Sequence, residues 1–158
     1  MNKYCYLLLF SLLVVSGCSD SSRPADLPPL FPCTVLVTQG GVPLGDAIVE
    51  LRPEDAQKYR PTAITNAEGK AVMGTYGYPG APVGKYKIVV SKIIEDNVVD
   101  RIDEFGKRVV MSRDRYQVVE DRFSKPETSP HEIEITSKRV QTEIDVGNPV
   151  RQPISDIR

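Results

Sequence analysis

Apolar and polar residues alternate along much of the chain between residues 33 and 146. Cys33, Val35 and Val37 alternate with Thr34, Leu36 and Thr38, and Ala47, Val49 and Leu51 with Ile48, Glu50 and Arg52. Tyr86, Ile88 and Val90 alternate with Lys85, Lys87 and Val89, and Ile133 and Ile135 with Glu132 and Glu134. A final run places Val140, Thr142, Ile144 and Val146 on one side. Period two is the pattern of a half-buried strand. Pro53 ends the second run. Strands over 62–66 and 70–75 flank Asn66-Ala67-Glu68-Gly69, which reads as a hairpin turn with Gly69 at positive φ. Gly77, Pro79, Gly80, Pro82 and Gly84 forbid a helix across the next connection. Seven short strands without a convincing amphipathic helix predict an all-β domain over residues 33–147, a seven-stranded antiparallel β-sandwich.

Residues 93–117 interrupt this pattern. The stretch carries eleven charges of both signs, from Glu95 to Arg115, and Phe105-Gly106 breaks it in the middle. It reads as an inserted charged loop or a β-ribbon, with Val98-Val99 facing Val109-Val110. Connections of this length are usually functional or disordered. Phe105 and Tyr116 stand beside arginines, a composition enriched at interfaces, and are candidate partner contacts. The tail at 148–158 has little apolar content and is expected to be flexible.

The first residues read as an address. Lys3 precedes the apolar run at 6–15, too short to anchor as a membrane span, and small residues follow it. Val15-Ser16-Gly17-Cys18 resembles the bacterial lipobox, whose cysteine is acylated and becomes the mature first residue. The resemblance implies a lipoprotein signal peptide at 1–17, lipidation with palmitate-like chains at Cys18, and membrane attachment in the bacterial cell envelope. An ordinary signal peptide containing a cysteine is the other reading. By the same resemblance, Ser19 directly after the cysteine, with Asp20 one place later, favours the outer membrane over the inner.

Composition changes the picture little. Loss of residues 1–17 removes one lysine and no acid, so the net charge moves from −1 to −2. No clustered basic face for nucleic acid stands out. Cys5 leaves with the signal and Cys18 is acylated, so Cys33 has no intramolecular partner. It reads either as a reactive thiol or as a small apolar residue at a core edge. Residues 18–32 hold Pro24, Pro28, Pro29 and Pro32 and read as a lipidated, semi-rigid tether.

Four segments together carry a family resemblance. Residues 41–49, GVPLGDAIV, resemble the opening of carboxypeptidase regulatory-like domains. Residues 65–70, TNAEGK, are similar to their T-D-x-x-G hairpin, with Asn66 replacing the usual aspartate. Residues 84–88, GKYKI, resemble their G-x-Y-x-V strand. Residues 123–130, FSKPETSP, resemble the K-Y-x-x-P-x-T-S-P segment of transthyretin-like bacterial lipoproteins. The resemblance implies a prealbumin-like sandwich over most of the mature chain and no catalytic residue.

Candidate chemistry is sparse. His131 is the only histidine. Intradiol dioxygenases and hydroxyisourate hydrolases, on folds related to the resembled family, need more than one. Zinc held by Cys and His is excluded by count, and no cofactor or metal is expected. Glu132 and Glu134 point the same way from a strand, as a cation or sugar site does, and as a solvated sheet face does. Tyr76 and Tyr78, among glycines, are the best small-ligand candidates, since tyrosines in loops stack on sugars. They also pin loops to cores.

Two functional classes remain. The first is a lipid-anchored, non-enzymatic envelope domain for ligand or protein contact or a structural role. The second is an enzyme, or an accessory module to one, acting on carbohydrate or peptide. Expected partners are the membrane through Cys18, and an envelope protein or carbohydrate through the exposed aromatics.

Overall fold

The computed structural model describes residues 23–55 and 58–154, with the backbone alone along 97–101 and 108–113. Cys18 and the segment before it lie outside the described residues. In chain order the first strands are β1 (Leu30–Phe31), β2 (Cys33–Gln39), β3 (Val42–Pro43), β4 (Ile48–Pro53) and β5 (Thr62–Ile64). Next come β6 (Lys70–Val72), β7 (Gly74–Thr75), β8 (Tyr78–Pro79), β9 (Ala81–Pro82) and β10 (Gly84–Ser91). Then follow β11 (Ile93–Ile102), β12 (Arg108–Gln117), the single-turn helix α1 (Asp121–Ser124), β13 (Glu132–Ile135), β14 (Val140–Asp145) and β15 (Gln152–Pro153).

The larger sheet runs β13-β10-β4-β5-β7-β8, and a second runs β14-β2-β3 with β6 also paired to β2. Alternation along the strands commits their apolar positions to one side. Tyr86 of β10 lies opposite Ile133, Ile88 opposite Leu51, and Val90 opposite Val49. All six are buried and join Val35, Val37, Ala71 and Ile144 of the second sheet in one hydrophobic core. Cross-strand apolar pairs of this kind fix register, because a one-residue slip would turn every one of them outward. Cys33, 1% exposed, sits in that core as a small apolar side chain. Its thiol is pushed up to about 11 by burial, so the thiolate that reactive cysteines need is suppressed.

The structure differs from the sequence expectation in its connections and at its edges. The second sheet is not wholly antiparallel, because β14 runs parallel to β2, with Val35 beside Thr142 and Val37 beside Ile144. Residues 62–66 and 70–75 pair as a hairpin only at their two ends, where the Asn66 amide donates to the Lys70 oxygen at 3.0 Å and Thr62 lies opposite Gly74. The turn at Gly69 carries the chain from one sheet to the other: β5 pairs with β4, whereas β6 pairs with β2, and β7 returns to β5. Close approach drives the crossover, since the Gly69 carbonyl accepts the Val37 amide at 2.8 Å. Gly69 has φ +72, and a Cβ there would lie 2.3 Å from the Val37 oxygen.

The proline-rich stretch is likewise not a free spacer along its whole length. Leu27 is buried, Leu30 and Phe31 pair with Pro82 and Ala81, and Phe31 packs against the core. Apolar Leu27, Leu30 and Phe31 between the prolines supply the docking surface that proline content alone hides.

Residues 93–117 form a ribbon. β11 and β12 are ten-residue antiparallel strands joined by a turn at 103–107. Val99 lies opposite Val110, but Val98 lies opposite Ser112, because register shifts flank Val99. The tail is not free through residue 154: β15 adds a third strand, with Tyr116 opposite Pro153 and Gln117 opposite Gln152. The ribbon base is clamped to the core, with Gln39 Nε2 donating to the Val118 oxygen at 2.8 Å and Lys92 Nζ to the Gly45 oxygen at 2.7 Å.

Candidate functional site

Tyr76 and Tyr78 come together on one tight hairpin. Thr75 pairs with Tyr78 and Gly74 with Pro79, leaving Tyr76-Gly77 as a two-residue loop. Both loop residues have positive φ, +52 and +84. That is the mirror-image turn hairpins prefer, normally built from Asn-Gly or Asp-Gly. A tyrosine in the left-handed region costs about 1–2 kcal/mol. Here that side chain is 61% exposed, so core burial does not offset the strain.

The hairpin is the centre of a larger surface. The Tyr76 ring meets Tyr59 edge to face, with centroids 5.4 Å apart at 89°. The Arg23 guanidinium lies 5.7 Å from the Tyr78 ring centre, and Lys58 Nζ 5.4 Å from that of Tyr59. Two open grooves flank these rings. One, about 570 Å³, is lined by Arg60, Thr62, Val72, Tyr76 and Tyr78 among others. The other, about 500 Å³, lies between the docked prolines Pro28 and Pro29, Phe31, Tyr59, Pro82 and Val83. Lys58 bonds Asp26 at 2.8 Å and holds its carboxyl below the usual range, with Tyr59 adding to the effect. Burial, then Asp26, pushes the Tyr59 phenol up; the buried hydroxyl has no hydrogen-bond partner of ordinary geometry.

Sequence reading missed Tyr59 and Lys58, because 54–61 reads only as a polar loop, and Arg23, because 18–32 reads as a tether. The signal was present as Lys58-Tyr59-Arg60, an aromatic between two cations directly before Pro61.

Phe105 and Tyr116 do not form one site. Tyr116 lies at the ribbon base opposite Ile94, whereas Phe105 is in the tip turn beyond Ile102. Eight strand residues separate those levels, about 26 Å. Arg151 covers the Tyr116 ring at 4.1 Å. Phe105 is 86% exposed, on a turn whose backbone is tied back: the Asp103 carboxylate accepts the Phe105 amide at 3.0 Å and the Lys107 amide at 2.7 Å. The Gly106 amide closes the turn on the Asp103 carbonyl at 3.0 Å.

The remaining candidates hold structure together. His131 stacks on Phe123 at 5.5 Å, and its Nε2 lies 3.0 Å from the Asp145 carbonyl oxygen, so that nitrogen carries the proton. The Ser129 hydroxyl donates to the Ile88 oxygen at 2.5 Å. Glu132 is ion-paired to Lys87, which lowers its carboxyl, and Glu134 lies opposite Lys85 in register. Among the described residues, no group of three or more His, Cys, Asp or Glu is arranged to hold a metal ion.

No family model matches the chain, and no curated protein matches it. Among solved structures, a 9R-lipoxygenase from Cyanothece PCC8801 aligns over 80% of this chain at 14% identity and a TM-score of 0.30. The alignment spans 17% of the lipoxygenase, and a likeness of that size carries no argument about fold or activity.

Proposed function

We propose that this chain is a lipid-anchored, non-enzymatic envelope domain, a prealbumin-like sandwich that presents its ribbon tip to a partner protein. Acylation at Cys18 attaches it to the membrane, the outer one in preference to the inner because serine follows the cysteine. The observation that carries the contact role is Phe105. A large apolar ring, 86% exposed, stands at the end of a projecting ribbon in a turn fixed by four hydrogen bonds within residues 103–107. With the turn backbone already fixed, docking has only the Phe105 side chain to order, and aromatic side chains are enriched in the cores of interfaces. Glu132, the histidine and the buried serine are engaged in ion pairs or backbone bonds that support the scaffold.

A photo-crosslinking side chain at position 105, in cells making the full chain, tests this reading. One discrete envelope-protein adduct is expected, lost on competition with the unlabelled native chain but not with its Phe105→Asp variant, and not formed by the same label at exposed Ile64. Cys18→Ala is expected to abolish fatty-acid labelling and to release the protein from the membrane fraction. Crosslinks no richer at position 105 than at position 64 would remove the contact role, and persistent acyl labelling in Cys18→Ala would remove the anchor.

A further inference from the structure

We infer that the groove end of the domain, with Tyr76, Tyr78, Arg23, Lys58 and Arg60, is a membrane-contact face that seats in an anionic headgroup layer. The inference rests on acylation at Cys18 and goes beyond it, because an acyl anchor by itself leaves the orientation of the domain open.

Leash length sets the orientation. Cys18 and Arg23 are five residues apart, which covalent geometry limits to about 17 Å. From Arg23 onward the chain is held to the domain. Arg23 Nη2 donates to the Pro28 oxygen at 3.1 Å, its guanidinium reaches the Tyr78 ring, and Leu27 is buried. The eight residues of β10 alone span about 26 Å. The leash is thus shorter than the domain is tall, and the end bearing Arg23 must be the end nearest the lipid. Pro82 and Val83 sit at the start of β10, on that end, whereas the ribbon leaves after Ser91, at the other. Phe105 therefore points away from the bilayer.

The chemistry of this end matches an interface. Tyrosines with an apolar ring and a polar tip concentrate at headgroup level. Tyr76 is 61% and Val83 53% exposed, beside exposed Pro29 and Pro79. Three cations stand at this end, Lys58 in one groove, Arg60 in the other and Arg23 over the Tyr78 ring; the two groove linings hold one carboxylate, Asp26, which is taken by Lys58, and Asp55 stands close enough to act on Tyr86. Arg23 and Arg60 remain to meet lipid phosphates, which guanidinium groups bind in bidentate fashion. Glu54, from the neighbouring loop, lines a separate depression with Lys85, Glu132 and Glu134. The strained exposed tyrosine and the uncovered grooves both find an occupant in the headgroup layer.

The chain contains no tryptophan, so a single introduced one is a clean depth reporter. The acylated full chain is reconstituted in vesicles of phosphatidylethanolamine and phosphatidylglycerol with brominated acyl chains, as Tyr76→Trp, Val83→Trp or Phe105→Trp. Expected are blue-shifted, several-fold quenched emission at positions 76 and 83, and unquenched emission at 105. Adding Arg23→Glu and Arg60→Glu to the position-83 reporter is expected to relieve quenching while fatty-acid labelling at Cys18 persists. Equal weak quenching at all three positions in labelled protein overturns the membrane face alone. Quenching that survives both charge reversals overturns the anionic headgroup as its occupant. A chain that takes no acyl label overturns the anchor, and the proposal falls with it.

Discussion

The hydroxyl of Tyr86, fully buried at the centre of the core, donates a 3.0 Å hydrogen bond to the carbonyl oxygen of Pro82. Pro82 lines the groove that Pro28, Pro29 and Tyr59 complete. One side chain thus packs the sheets together with its ring and pins the groove wall with its oxygen. Tyr86→Ala should cost about 3–5 kcal/mol, as aromatic truncations in cores do. Tyr86→Phe keeps the packing and strands the Pro82 carbonyl, costing about 1–2 kcal/mol. Urea denaturation of the two variants separates the contributions; equal midpoints would show that the hydroxyl alone matters.

Gly69 is predicted to be the least replaceable turn residue. Gly69→Ala must accept both a positive φ and a Cβ 2.3 Å from the Val37 carbonyl oxygen, which is backbone and cannot swing aside. Gly77 has φ +84 and nothing within 4 Å of its missing Cβ, so Gly77→Ala carries the conformational cost alone. That cost is about 1 kcal/mol, and the Gly69 variant should lose at least twice as much stability. Similar thermal midpoints for the two would mean that the crossover backbone relaxes freely.

Burial sets the response to alkali. Cys33 is raised from 9.0 to about 11 and Tyr86 from 10.0 to about 12, each chiefly by desolvation. Both groups hold their protons more tightly when folded than unfolded. Their contribution to stability is therefore complete below pH 9.0 and falls as pH rises through about 11 and about 12. The urea midpoint should hold steady from neutrality to pH 9.0 and drop beyond it. Iodoacetamide should leave Cys33 unlabelled in the native protein and label it fully in urea. Native labelling at the denatured rate would mean that the thiol is not enclosed.

Much of the scaffold is legible in the sequence because strand alternation is local. Tyr86, Ile88 and Val90 announce their inward face, and so do Ile133 and Ile135. Connectivity is less legible. Nothing in residues 62–75 says that β6 crosses to β2, since the turn at Gly69 reads the same for a hairpin and for a crossover. The deciding contact, Gly69 against Val37, joins residues far apart in sequence. The groove was half visible for the same reason. Tyr76 and Tyr78 advertise themselves among glycines, but Tyr59 and Arg23 reach them only through tertiary packing. At the ribbon, mixed charge left a loop and two paired strands as alternatives, and the register shifts around Val99 that set Val98 opposite Ser112 carry no local signal.

The last prediction concerns the independence of that ribbon. Asp96 and Asp114 are register partners, so residues 97–113 can be replaced by Asn-Gly, the preferred two-residue hairpin loop. The described core takes residues up to Val90 and resumes at Val119, with none from the ribbon between them. The base survives the replacement: Ile93 still faces Gln117, Ile94 faces Tyr116, and β15 keeps both of its partners. The ion pair of Arg151 with Asp96 also remains. Shortening the connection lowers the closure entropy slightly. The net change should stay within about 1 kcal/mol, a shift of the thermal midpoint of about 4 °C or less. Acyl labelling at Cys18 and quenching of a Val83→Trp reporter should both persist, because neither involves the ribbon. The envelope crosslink made from position 105 has no counterpart in the shortened protein, so a label in the new turn should yield no adduct. Collapse of the melting transition would instead show that the ribbon supports the core. A crosslink recovered from the shortened turn would move the partner surface to the ribbon base, around Tyr116 and Arg151.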